Sequence, residues 1–214
     1  MSMFSTTDLR TLMSNKLDEL FTPPDLFANE ILKLSELLSK LTTYTVDEKI
    51  GDTEVIKIAK ALEKNNTLTT LNLPQNNISN IGATALAKAL KINNTLTTLN
   101  LQQNDIGDEG VFALAEALKT NNTLTTLNLQ QNDIGNEGVN RLVHVLFRRE
   151  NESLIDIDFK YNNKITADVF ENLKDTIIMN RTLQKLELNN GRGFDYSLDL
   201  TIRQKILEER NKNK

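Results

Sequence analysis

Chemistry is sparsely provisioned in this sequence of 214 residues, which holds one histidine, His144, and no cysteine. Without cysteine there is no thiolate nucleophile, disulfide or Cys-based metal site, and the chain suits a reducing compartment. No Ser, Cys or second His is arranged with His144 to form a nucleophile–base pair. No HExxH run, calcium-binding loop or glycine-rich phosphate cradle is present. The best-spaced titratable pair is Asp156 and Asp158, two residues apart in the alternating run Leu154-Ile155-Asp156-Ile157-Asp158-Phe159. On a strand this spacing puts both carboxylates on one face. Paired acids can move protons or hold a cation, but an open sheet offers nothing to desolvate them, and a part in surface recognition is the expectation. The chain is therefore read as non-enzymatic, with no catalytic, cofactor or metal site.

Composition narrows the partners. The formal net charge is −4, and the longest basic cluster is the pair Arg148–Arg149, so nucleic acid, which demands a basic face, is not expected. No stretch is long and apolar enough to span a bilayer, so no membrane role is expected. The opening MSMFSTTDLR has neither a basic nor an apolar signal region, which points to a cytoplasmic protein.

The elements that position these residues come from a repeat. The segment NNTLTTLNLQQNDIG stands unchanged at 93–107 and 121–135, and NNTLTTLNL begins an earlier copy at Asn65, giving a period of 28 residues. A period of this size marks a solenoid. Each unit reads LxxLxLxxNxI: Leu68, Leu71, Leu73, Asn76 and Ile78; Leu96, Leu99, Leu101, Asn104 and Ile106; Leu124, Leu127, Leu129, Asn132 and Ile134. The first part alternates as a half-buried strand does, whereas Ile106, Val111, Leu114 and Leu118 recur at helical spacing. A unit is thus strand, turn, helix, turn, with the helix ending at an exposed Asn pair, Asn121–Asn122. Asn76, Asn104, Asn132 and Asn162 form a structural ladder, each amide satisfying backbone groups where the chain leaves the strand. One unit buries too little apolar surface to offset its ordering entropy, so units must stack. His144 aligns with Lys60, Lys88 and Glu116, an outward helix position.

This pattern resembles the ribonuclease-inhibitor-like class of leucine-rich repeats over roughly residues 41–210. The resemblance implies an α/β fold: a right-handed solenoid forming a horseshoe segment, with parallel inner strands and outer helices. It implies no single function, because such repeats serve inhibitors, GTPase-activating proteins, actin-end regulators, immune sensors and bacterial effectors.

Helical caps are expected at both ends, the stack remaining monomeric. Residues 1–40 read as an N-terminal cap, with apolar stripes at Leu9, Leu12, Met13, Leu17, Leu20 and Phe21, then at Phe27, Ile31, Leu34, Leu38 and Leu41 behind a helix start at Pro23-Pro24-Asp25. Residues 41–196 hold about five to six repeats, the first degenerate (Leu41, Tyr44, Val46, with Lys49 for the ladder Asn) and the last carrying Gly191 at the ladder position. Residues 197–214 read as a capping helix (Leu200, Ile202, Ile206, Leu207) and tail.

Recognition is expected on the inner strand face. The regular units offer a neutral carpet there: Thr69, Thr70, Asn72, Pro74, Gln75 and their equivalents. The fourth and fifth units change character, with Ile155, Asp156, Asp158, Lys160 and Tyr161, then Lys185 and Glu187. Interface anchors are rich in Tyr and Arg. Tyr161, Asp156, Asp158, Lys160, Lys185 and Glu187, with Arg148 and Arg149 on the rim, are the expected protein-binding residues. The first expectation is a non-enzymatic protein-binding scaffold. The alternatives are a regulator of an enzyme, such as a GTPase-activating protein using Arg148 or Arg149, and an actin-end-binding module. The Asn-rich, Cys-free, near-identical copies also resemble repeat proteins that intracellular bacteria deliver into host cells without a signal peptide.

Overall fold

A computed structural model describes residues 24–46, 49–147, 150–169, 173, 180, 182–193 and 195–198. Helix and strand alternate: α1 (Pro24–Leu38), β1 (Thr43–Thr45), α2 (Asp52–Leu62), β2 (Thr70–Asn72), α3 (Asn80–Leu90), β3 (Thr98–Asn100), α4 (Asp108–Leu118), β4 (Thr126–Asn128), α5 (Asn136–Phe147), β5 (Asp156–Asp158), β6 (Lys185–Asn189) and β7 (Asp195–Leu198). The strands form one open sheet in chain order, parallel from β1 to β6. Like positions pair across it, Leu71 with Leu99 and Leu99 with Leu127, as a fixed period requires. The helices pack in the same order, each on the next, which makes a two-layer α/β solenoid. Strand leucines and the inner helix positions close one continuous core, from Leu34 to Leu188.

Three rows of polar side chains run along the stack, two of them lined mainly by buried asparagines. In the first, Asn104 is buried and donates to the carbonyls of Leu73 (2.9 Å) and Leu101 (3.0 Å), while its Oδ1 accepts the Ile78 N–H at 3.1 Å. Each amide thus joins its own strand end to that of the preceding unit. Asn76, Asn132 and Asn162 repeat the acceptor half, on Ile50, Ile106 and Ile134. Lys49, at the corresponding place in the first unit, is exposed.

The second row corrects the reading of the Asn pairs as exposed. Asn65, Asn93, Asn121, Asn151 and Asn180 are all buried, Asn121 to 1% exposure, and only the second member of each Asn–Asn pair faces water. The oxygen of Asn121 accepts the N–H groups of Thr123 (3.1 Å) and Leu124 (2.9 Å). Its nitrogen donates to the carbonyls of Leu90 (2.8 Å) and Asn93 (2.9 Å) in the unit before. The helix C-terminus leaves carbonyls without intrahelical partners, and this amide meets one of them.

The third row caps helices from the neighbouring unit. Asp52 accepts the Ser79 and Gly82 N–H groups, Asn80 those of Gly107 and Gly110, and Asp108 those of Gly135 and Gly138, at 2.7–3.0 Å. The glycine inside each helix is a steric consequence. A Cβ on Gly110 would stand 2.7 Å from Ile106 Cγ2 and 2.8 Å from Asn80 Oδ1.

At the far end the strand series turns back. β7 pairs antiparallel with β6, so the boundary drawn after residue 196 falls inside a strand. Gly191 has φ +70, and no ladder amide occupies that turn. The neighbouring Asn190 donates to the Ile165 carbonyl at 2.9 Å. The apolar stripe at 7–21, the helix expected from Leu200 to Leu207 and the tail lie outside the described residues.

Two stability outcomes follow from these contacts. Asn104→Ala should cost about 1–3 kcal/mol, and Asn100→Ala, which loses one half-exposed bond to Gln102 (3.0 Å), well under half as much; paired denaturation midpoints check this. Gly110→Ala should destabilise, although alanine favours helix by about 1 kcal/mol, because a Cβ there displaces the Asn80 cap. A raised thermal midpoint would show that the cap yields easily.

Candidate functional site

The regular strand face is less available than the sequence suggests. Thr69, Thr97 and Thr125 are half-buried, and each hydroxyl donates to the carbonyl of the unit before it (Thr42, Thr69 and Thr97) at 3.0 Å. Asn100 and Asn128 accept the N–H of Gln102 and Gln130, and Gln75 donates to Gln103 at 2.8 Å. Much of the polar capacity of this carpet is spent on itself.

The fourth unit departs from this. On β5, Asp156 lies between Thr126 and Lys185, and Asp158 between Asn128 and Glu187. Strand alternation turns Ile157 into the core and leaves both aspartates half-buried on the open face. Asp158 keeps the turn that Asn128 makes, its Oδ1 accepting the Lys160 N–H at 2.8 Å, while its Oδ2 lies 3.2 Å from Lys160 Nζ. Substituting Asp for Asn thus preserves the backbone bond and adds a charge. Lys185 Nζ lies 3.8 Å from Asp156 and 3.6 Å from Glu187. Three carboxylates share two ammonium groups. Surface pairs of this kind contribute about 0–1 kcal/mol, so these charges stabilise the fold little.

Burial pushes the Asp156 carboxyl above its usual range; Lys185 opposes this, and Asp158 and Glu187 add to it. For Lys160, burial pulls the ammonium down, but the hydrogen bond and charge of Asp158, together with Glu187, leave it above its usual value.

Tyr161 ends a column that the sequence does not announce. Gln75, Gln103, Gln131 and Tyr161 all have positive φ, from 52 to 59, an uncommon state for non-glycine residues. Each N–H is tied to the next unit: Gln75 to the Gln102 carbonyl, Gln103 to Gln130, Gln131 to Lys160 and Tyr161 to Asn189. The backbone under Tyr161 is therefore held from the fifth unit, while its side chain stays exposed at 45%. Ile155, not among the expected site residues, occupies the threonine column and is exposed at 36%. Its lack of a hydroxyl where the aligned residues are Thr69, Thr97 and Thr125 was the available signal. The structure brings Asp156, Asp158, Lys160, Lys185 and Glu187 together, with Tyr161 following Lys160. Arg148 and Arg149 lie outside the described residues.

Among the described residues no cluster of His, Cys, Asp and Glu is able to bind a metal ion. His144 is exposed on α5. A groove of about 430 Å³ over α3, lined by Ile56, Lys60, Ile81 and Lys88, touches none of the expected recognition residues. No described helix is long and apolar enough to cross a membrane.

Sequence comparison agrees with this geometry. Residues 64–87, 93–115 and 120–143 match the Leucine Rich repeat family model. With the two-layer stack, these matches make the chain a leucine-rich repeat protein, a protein-binding scaffold as a class. Among solved structures it is similar to Leiomodin-1 Actin-Binding Site 2, with 23% identity and a TM-score of 0.57 over 90% of this chain and 100% of that one; this likeness shows the fold alone. No curated protein matches the sequence.

The raised Asp156 carboxyl has a testable sign. Its folded pKa exceeds the unfolded value, so its contribution is favourable below pH about 4 and is lost as pH rises through the folded value. Asp156→Asn should therefore match or exceed the wild-type thermal midpoint at pH 7, the difference shrinking towards pH 4. A variant less stable at pH 7 than at pH 4, relative to wild type, would mean that the Lys185 pair outweighs burial.

Proposed function

We propose that the open strand face of the fourth and fifth units is the docking surface for a protein partner, with Tyr161 as anchor. The observation that carries this is the contrast along the sheet. Regular units spend their threonine hydroxyls and several amides on their own neighbours, whereas Tyr161 and Ile155 present exposed apolar surface beside charges. An amphipathic ring over a braced backbone loses little entropy on binding. Asp156, Asp158, Lys160, Lys185 and Glu187 would set partner choice and orientation.

A second reading, binding at an actin filament end, is favoured by the likeness in fold to Leiomodin-1 Actin-Binding Site 2. The reading as a monomer rests on the helical caps expected at both ends, and that as a cytoplasmic protein, or as an effector acting in a host cytoplasm, on the cysteine-free composition and the near-identical Asn-rich copies.

Affinity capture with the full chain, followed by titration calorimetry on the recovered partner, tests the site. Tyr161→Ala should weaken binding by roughly 2 kcal/mol or more, with little change in stability because alanine keeps the same backbone state. Thr98→Ala, on the regular face, should change neither. Loss of binding in the threonine variant with full affinity in the tyrosine variant would move the site to the regular units. Co-sedimentation with actin filaments decides the second reading.

A further inference from the structure

Six Asn-x-Ser/Thr runs stand in the sequence, the acceptor pattern for N-linked glycans. Five of them coincide with the second asparagine row: Asn65-Asn66-Thr67, Asn93-Asn94-Thr95, Asn121-Asn122-Thr123, Asn151-Glu152-Ser153 and Asn180-Arg181-Thr182. The coincidence has a physical origin. An asparagine that folds its oxygen back onto the N–H two residues later makes an Asx turn, and Ser or Thr suits that position. All five oxygens accept this N–H, at 3.0–3.2 Å.

We propose that the fold and a glycan on Asn93, Asn121 or Asn151 of this row are mutually exclusive, and that a chain entering a compartment with oligosaccharyl transfer is modified at this row before it can fold. Glycosylation joins the asparagine Nδ2 to the anomeric carbon of a sugar, expelling the lipid pyrophosphate carrier and releasing one amide proton. In the folded chain both amide hydrogens are already engaged at Asn93 (Leu62 and Asn65 carbonyls, 2.9 and 2.8 Å), at Asn121 (Leu90 and Asn93, 2.8 and 2.9 Å) and at Asn151 (Leu118 and Asn121, 2.9 and 2.8 Å). These three side chains are at most 2% exposed. A sugar attached there takes one donor from the row and cannot fit between packed units. Because transfer acts on the chain as it enters the endoplasmic reticulum, before units can stack, modification there would precede folding. The sixth run, Asn77-Ile78-Ser79, is different: Asn77 is exposed, and a glycan on it is compatible with the fold.

The test expresses the full chain three ways in a glycosylating eukaryotic cell: in the cytosol, behind a secretory leader, and behind that leader with lipid-linked oligosaccharide synthesis inhibited. Site occupancy is read by mass spectrometry, and folding by protease resistance and thermal melting. The expected result is a cooperative melt for the cytosolic and inhibited samples. The uninhibited secretory sample should carry glycans on Asn93, Asn121 or Asn151 and show no cooperative melt. Three results would overturn the proposal: a glycan on any of those three residues in a chain with an unchanged midpoint, a folded secretory chain with all three unmodified, or an inhibited sample that also fails to fold.

Discussion

A buried asparagine amide that bonds backbone of two consecutive units is the interaction on which this stack depends. Every unit ends a strand and a helix against its neighbours, where backbone donors and acceptors are shut off from water. An unsatisfied group there costs about 1–3 kcal/mol. Asn104 and Asn121 each answer several such groups at once, and each does so across the boundary with the preceding unit. Cohesion between units is thus directional as well as hydrophobic. It fixes register along the whole sheet, since a slipped unit would strand several polar groups together. Where the period lengthens, from Asn121 to Asn151, Asn151 still reaches the Leu118 and Asn121 carbonyls.

The same economy shapes the open strand face. Threonine hydroxyls and asparagine oxygens that look available on an isolated strand are occupied by the neighbouring unit or their own turn, so the middle of the sheet is polar but partly satisfied. Character returns where the copies diverge. Asp158 retains the turn-closing bond of the asparagine it replaces and brings a charge with it. Ile155 and Tyr161 replace side chains of the threonine and glutamine columns with apolar surface. These substitutions stand at positions where the backbone bonds survive them.

Period and leucine spacing made the architecture legible from sequence, because a 28-residue repeat with an alternating and then a helical part has few other solutions. The strand-end asparagines were legible as well, standing at a fixed place in the motif. The helix-end row was not: an Asn–Asn pair between helix and strand reads as a polar loop, and nothing local shows that its first member is buried against the unit before it. The capping row of Asp52, Asn80 and Asp108 was hidden for the same reason, as an acidic or amide residue opening a helix ordinarily serves its own. The left-handed column was masked by its glutamines, which are not residues that signal positive φ. β7 lay beyond the repeat pattern and carried no periodic signal. The charged cluster of the fourth and fifth units was readable, since strand alternation alone places Asp156, Asp158, Lys185 and Glu187 on one face.

Native-state hydrogen exchange measures the asparagine rows most directly. The N–H groups of Leu96, Leu124 and Leu154 donate to the buried oxygens of Asn93, Asn121 and Asn151, whereas those of Leu101 and Leu129 donate across the sheet to Asn128 and Asp158. If the amide rows bind unit to unit, the first group exchanges only through the same global opening as the second, with equal free energies and equal denaturant dependence. Exchange of Leu96, Leu124 and Leu154 through local fluctuations, insensitive to denaturant and much faster than the sheet, would show that the asparagines decorate a stack held together by its leucines alone.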